Sequence, residues 1–122
     1  MYDVRTNPFE NKLLFLAKGK MELPEIQAAC QALIKSAQKL QPGFVKISDI
    51  HELEVLPEEG RLAFQDAMKT LKELGLGAAI RVVSDKNLVT ANQFQRTSRS
   101  VGYTALEVRS LQEAEQVLDQ MV

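Results

Sequence analysis

Short apolar runs alternate with longer amphipathic stretches along the chain. Leu13-Leu14-Phe15-Leu16-Ala17 is continuously apolar, as in a strand covered on both faces. Tyr2 to Thr6 alternates weakly ahead of it and predicts an edge strand, joined through the turn chemistry of Asn7-Pro8-Phe9-Glu10-Asn11. Phe44 to Ser48, Ala78 to Val83 and Tyr103 to Val108 predict three further strands.

Four helices fall between and after them. Pro24 suits a first helical position, because its missing N–H would have no partner there. Ile26, Ala29, Cys30, Leu33, Ile34, Ala37 and Leu40 then recur at spacings of three and four, one stripe of a helix. A second helix opens at Pro57, carries Leu62, Ala63, Ala67, Met68, Leu71 and Leu74, and stops at Gly75. The third is more polar. Ser84 or Asp85 caps it, Leu88, Ala91 and Phe94 face inward, and Gly102 follows its end near Ser100. Ser110 and Glu113 form a capping box for the last helix, which carries Leu111, Ala114, Val117, Leu118 and Met121. The order β-β-α-β-α-β-α-β-α implies an α/β fold: a mostly parallel central sheet of about five strands with an antiparallel edge strand and four helices.

Composition narrows the function classes. The 122 residues fit one domain spanning residues 1–122, and 45% apolar with 25% charged residues is ordinary globular usage. A net charge of -1 argues against a general nucleic-acid binder. No apolar run reaches the roughly 18 residues of a membrane span, and Met1-Tyr2-Asp3-Val4-Arg5 has no signal-peptide core, so a cytoplasmic protein is expected. Cys30 lies on a helical apolar stripe and reads as packing. One Cys and one His match no zinc spacing, and neither a metal nor a cofactor is expected.

In open α/β sheets, function gathers where strands end and helices begin. Here the strand Phe44–Ser48 is followed by a connection of about eight residues, Asp49 to Leu56, and then by Pro57-Glu58-Glu59-Gly60. Carboxylates collect there, but no catalytic set accompanies them, and an enzyme is not expected. Glu58 and Glu59 suit the positive end of the helix dipole. His51, among Asp49, Glu52 and Glu54, reads as a loop histidine whose charged form its neighbours favour. In Gln95-Arg96-Thr97-Ser98-Arg99-Ser100, Arg96 and Arg99 share a helix face and offer a contact for an anion or a ligand, with Arg81 and Arg109 in neighbouring elements. Thr97, Ser98 and Ser100 are hydroxyls beside those basic residues. Gly75-Leu76-Gly77 follows a helix, so it reads as a cap and turn, not a phosphate loop.

The element order and the stretch Asp49-Ile50-His51-Glu52-Leu53-Glu54-Val55-Leu56-Pro57-Glu58-Glu59-Gly60 resemble the STAS domain of bacterial anti-sigma-factor antagonists. That family carries a pattern close to Asp-Leu-Ser-Gly-Val-Glu-Phe-Ile-Asp-Ser-Ser-Gly. Asp49, Glu54, Gly60 and the apolar positions keep it. Ile80 to Lys86 and Tyr103 to Ala114 look like the later turn, strand and helix of the related SpoIIAA-like, STAS/SEC14-type bacterial domains. The resemblance implies a non-enzymatic protein-interaction module in bacterial regulation, with a protein partner at Asp49, His51, Glu54, Glu58 and Glu59. On its SEC14 side it implies a small-ligand or lipid-binding domain, with a cavity under the third helix and Arg96 and Arg99 at the mouth. One departure is informative. The family's regulatory serine falls on Glu58 and the next serine on Glu59, so the resemblance implies no phosphoswitch there.

Overall fold

A computed structural model describes residues 1–121. Nine elements follow in the predicted order: β1 (Tyr2–Asn7), β2 (Lys12–Gly19), α1 (Leu23–Ala37), β3 (Val45–Leu53), α2 (Glu58–Glu73), β4 (Ala78–Val82), α3 (Leu88–Ser100), β5 (Leu106–Val108) and α4 (Leu111–Gln120). One sheet carries the strands in the order β1-β2-β3-β4-β5. β1 runs antiparallel to β2, and every other pair is parallel.

That order decides where the helices lie. Each crossover moves the chain one strand onward in the same direction, and crossovers of one hand then stack on one face. Residues from α1, α2 and α3 accordingly share a core with Leu13, Phe15, Ala17 and Ile50 of the sheet. Phe64 of α2 sits at its centre, with ring centroids 5.9 Å from Phe15 and 5.3 Å from Phe94. Among the described residues the opposite face meets α4, where Ala114, Val117 and Leu118 pack on Ile47, Ile80, Val82 and Val108.

Several boundaries differ from the sequence expectation. β3 does not stop at Ser48 but continues through Leu53, so His51 lies in the strand and not beyond it. The pairing slips between Leu16↔Asp49 and Lys18↔Glu52, two steps on β2 against three on β3. This bulge lets Ile50 and Leu53 both join the helix-side core. Pro57 is the N-cap of α2, which begins at Glu58. α3 starts later than Ser84, with Asn87 at its N-cap, and β5 is half the predicted length. Leu62, Leu88, Leu111 and Met121 are exposed. On α2 the inward position belongs to Phe64, which the predicted stripe omitted. The capping box is present: Ser110 Oγ accepts from Glu113 N–H, while the Glu113 carboxylate accepts from Arg109 N–H.

Candidate functional site

The C-terminal ends of β3 and β4 form a broad groove of about 720 Å³. The end of β3 and the Glu54–Pro57 connection make one wall. The turn after β4 and the first turn of α3 make the other. Three polar side chains sew the walls together. Asn87 Nδ2 donates to Ile50 O at 2.7 Å, and Thr90 Oγ1 donates to Leu53 O at 3.1 Å. Gln93 Oε1 accepts from Leu56 N–H at 2.9 Å while its Nε2 donates to Leu56 O at 2.9 Å. Thr90 and Gln93 are buried, so their polarity, which makes α3 look weakly anchored in the sequence, in fact anchors it. The rim stays apolar and open: Val55, Leu88 and Val89 are 55%, 49% and 68% exposed.

The five residues expected to meet a partner divide into three groups. His51 and Glu54 line the groove. Asp49 is buried behind it, and its carboxylate accepts from His51 Nδ1. That hydrogen bond, together with the charges of Asp49 and Glu52, holds the His51 imidazole above its ordinary pKa. The histidine is thus fixed between two carboxylates, with Glu52 Oε1 3.2 Å from Nε2, and is not a freely solvated loop residue. Glu58 and Glu59 stand on the first turn of α2, outside the groove lining. Arg61 grips Glu58 at both oxygens, 3.0 and 2.7 Å, and lowers its pKa. The negative charge of Glu58 is therefore largely offset, and exposed Glu59 carries the local potential.

Arg96 and Arg99 lie elsewhere, lining a pocket of about 550 Å³ between α3 and β5 with Val89, Asn92, Gln95 and Glu107. Arg81, Arg96, Arg99 and Arg109 do not form one patch. Arg109 pairs with Asp85 at 3.1 Å, and Arg81 is buried inside the molecule. Beneath α3 the cavity lined by Leu56, Phe64, Met68 and Phe94 has about 140 Å³ of empty space, below the roughly 300 Å³ at which small-molecule sites begin. Thr97 and Ser98 are fully buried and donate to the backbone carbonyls of Gln93 and Gln95, out of reach of a kinase. Burial pushes the Cys30 thiol up to about 11, so it stays protonated and unreactive. Among the described residues no group of three or more His, Cys, Asp or Glu side chains is placed to hold a metal, and no helix is long and apolar enough to cross a membrane.

One buried pair goes beyond the sequence expectation, which sets Arg81 only beside Arg96 and Arg99 and does not single out Lys46. Lys46 and Arg81 are buried on the helix side of the sheet, under the rings of Phe15 (5.5 Å) and Phe94 (5.7 Å). Burial, then the neighbouring Arg81 charge, pull Lys46 down to about 7. A signal was present. Lys46 and Ser48 alternate with apolar residues on β3, and Ser48 is in register with Arg81, so three polar residues share one face of adjacent strands.

Folds of this kind are known. The whole chain superposes on the unphosphorylated anti-sigma factor antagonist SpoIIAA with a TM-score of 0.68, at 11% identity over 100% of this chain and 99% of that one. An anti-sigma factor antagonist from Mycobacterium paratuberculosis gives a TM-score of 0.55, at 13% identity over 98% and 95% of the two chains. The fold is that of SpoIIAA-type anti-sigma factor antagonists, the STAS fold. No protein-family model matches the chain. No curated protein matches it either.

Proposed function

We propose that this chain is a non-enzymatic protein-interaction module of bacterial regulation, acting in the cytoplasm in the manner of an anti-sigma factor antagonist without the phosphoswitch. The observation that carries the reading is the strand-end groove. It combines an apolar rim of Val55, Leu88 and Val89 with the charged groups His51, Glu54 and Lys86, on walls held rigid by Asn87, Thr90 and Gln93. Apolar area surrounded by charges suits a protein partner, the apolar part giving affinity and the charges selecting orientation. The whole-chain likeness to two anti-sigma factor antagonists supports the same reading.

Glu58 stands where the resemblance places the regulatory serine. A carboxylate cannot accept a phosphoryl group from a serine kinase, so the module is constitutive at that position. Because Arg61 offsets Glu58, the residual charge at the α2 start is Glu59's, about one unit against roughly 1.5–2 for a phosphoserine.

Affinity capture from the native host with mass-spectrometric identification tests the proposal. The wild-type chain retains an anti-sigma-type partner, Val55→Asp/Leu88→Asp loses it, and Glu59→Lys weakens it. Retention undiminished by Val55→Asp/Leu88→Asp removes the groove from the account, and absence of any regulatory partner removes the function.

A further inference from the structure

We propose that the open edge of β1 pairs with the β1 edge of a second copy of this chain, antiparallel about a twofold axis at Val4, to form a symmetric dimer. The phase of the ladder decides which groups are available. Met1 and Lys18 exchange both main-chain bonds, at 3.0 and 2.9 Å. Bonded pairs alternate along an antiparallel ladder, and β1 keeps unbroken register with β2. Asp3, Arg5 and Asn7 therefore turn their N–H and C=O groups toward β2. Tyr2, Val4 and Thr6 turn theirs to the open edge of the sheet, where no hydrogen bond among the described residues reaches them.

Symmetry then sets the register. The axis must fall on a residue whose groups face outward, so its centre is Tyr2, Val4 or Thr6. A centre at Tyr2 leaves Val4 and Thr6 without partners in the second β1. A centre at Thr6 sets Val4 against Pro8, which has no N–H. A centre at Val4 uses the whole strand: Val4 bonds its own copy, and Tyr2 and Thr6 bond each other across the axis. Between these bonded pairs, Asp3 falls directly opposite Arg5 of the second copy on each side of the axis, at the closer of the two antiparallel spacings. The two side chains lie on the face away from Tyr2 and Val4, which pack toward the helix-side core. They are 41% and 76% exposed, and within one chain they pair only with each other, at 2.8 Å. The run Asp3-Val4-Arg5 is thus its own complement.

The strand also lacks the usual devices that keep edges apart. The other edge, β5, is blunted by its length of three residues. β1 has six, with no lysine, no proline and no bulge, and its charges are of both signs. No residue of β1 lines the strand-end groove, so the dimer and the regulatory reading stand or fall separately.

Sedimentation equilibrium of the full chain in low salt, from about 10 μM to about 1 mM, tests the pairing. A monomer–dimer equilibrium is expected. Asp3→Arg and Arg5→Asp each set like charges across the axis and weaken the dimer by about tenfold. Both change exposed side chains and leave the fold intact. An equimolar mixture of the two variants restores opposite charges at every crossing and recovers the dimer as a heterodimer. The Val4 amide, open to hydrogen exchange in the monomer, gains protection in step with the dimer fraction. A chain that stays monomeric at about 1 mM overturns the proposal. So does a dimer that both variants leave intact, a mixture no better than the variants alone, or a dimer that leaves Val4 exchange unchanged, because each removes this edge from the interface.

Discussion

The two faces of the sheet solve the same problem with different chemistry. On one, α4 covers a small patch of Ile47, Ile80, Val82 and Val108, and buried Lys12 at its edge is paired with Glu115 of α4 and with Glu10. On the other, three helices cover a large core that also contains Lys46 and Arg81. The larger face thus buries two cations that form no ion pair among the described residues, whereas the smaller one, with less apolar area, buries Lys12 between two carboxylates. Area explains the tolerance. A core with Phe15, Phe64, Phe94 and the α1 and α2 stripes has stability to lose, and it is there that buried cations stand without an ion pair.

The largest expected effect separates the faces by size. Phe64→Ala removes the middle ring of three and is expected to cost about 3–5 kcal/mol in urea denaturation. Val117→Ala on the half-buried α4 contact costs about 1 kcal/mol. Equal losses would break the comparison.

Next comes Lys46→Met, which replaces a buried cation by an apolar chain of similar length. Neutral effect or a gain of about 1–4 kcal/mol is expected at pH 6. The pH dependence is sharper. Between about 7 and the ordinary lysine value of 10.5, the unfolded chain holds a proton that the folded chain has released. Stability therefore rises with pH across that window and is lowest below it, where both states are protonated. Lys46→Met flattens this rise in a series of denaturant melts.

A smaller loss, about 1–3 kcal/mol, follows Gln93→Ala, which strands the buried N–H and C=O of Leu56. Hydrogen exchange at Leu56 should accelerate with it. Smallest is Asp49→Asn. His51 is 40% exposed at its side chain, so the readout is its titration and not stability. With Asp49 present, the raised pKa stabilises the fold most below 6.5, and the contribution fades as pH climbs through the raised value. In Asp49→Asn the ring signals of His51 titrate closer to 6.5.

Much of the architecture was legible, because helical stripes and capping chemistry are local. The α1 stripe, the Ser110–Glu113 cap and the order of elements all emerge from neighbours along the chain. Gly75 adopts a φ of 107°, as its place after a helix implies. The end of β3 was not legible, since Asp49-Ile50-His51-Glu52 carries residues depleted in strands, and only pairing with β2 extends it. The buried cations were hidden for a related reason. Alternation marks Lys46 and Ser48 as facing away from apolar neighbours, but it does not say that three helices cover that side. For the candidate site, the sequence points to the strand end because β3 and its connection to α2 carry the carboxylates. The division into groove, buried Asp49 and Arg61-bound Glu58 depends on contacts between distant segments and is visible only in three dimensions.

The order of strands has a consequence for how the chain emerges during synthesis. Each strand lies beside its predecessor, so no strand waits for a partner made later than the next crossover. Pairing each strand with its predecessor keeps the loops to be closed shorter than a shuffled strand order would. The growing chain can add β3 with α1, then β4 with α2, onto a sheet already begun, so that β1 stays one edge throughout and the newest strand is the other. In the finished molecule that last edge is β5, so the pocket beside it forms only when the final seventh or so of the chain begins to arrive.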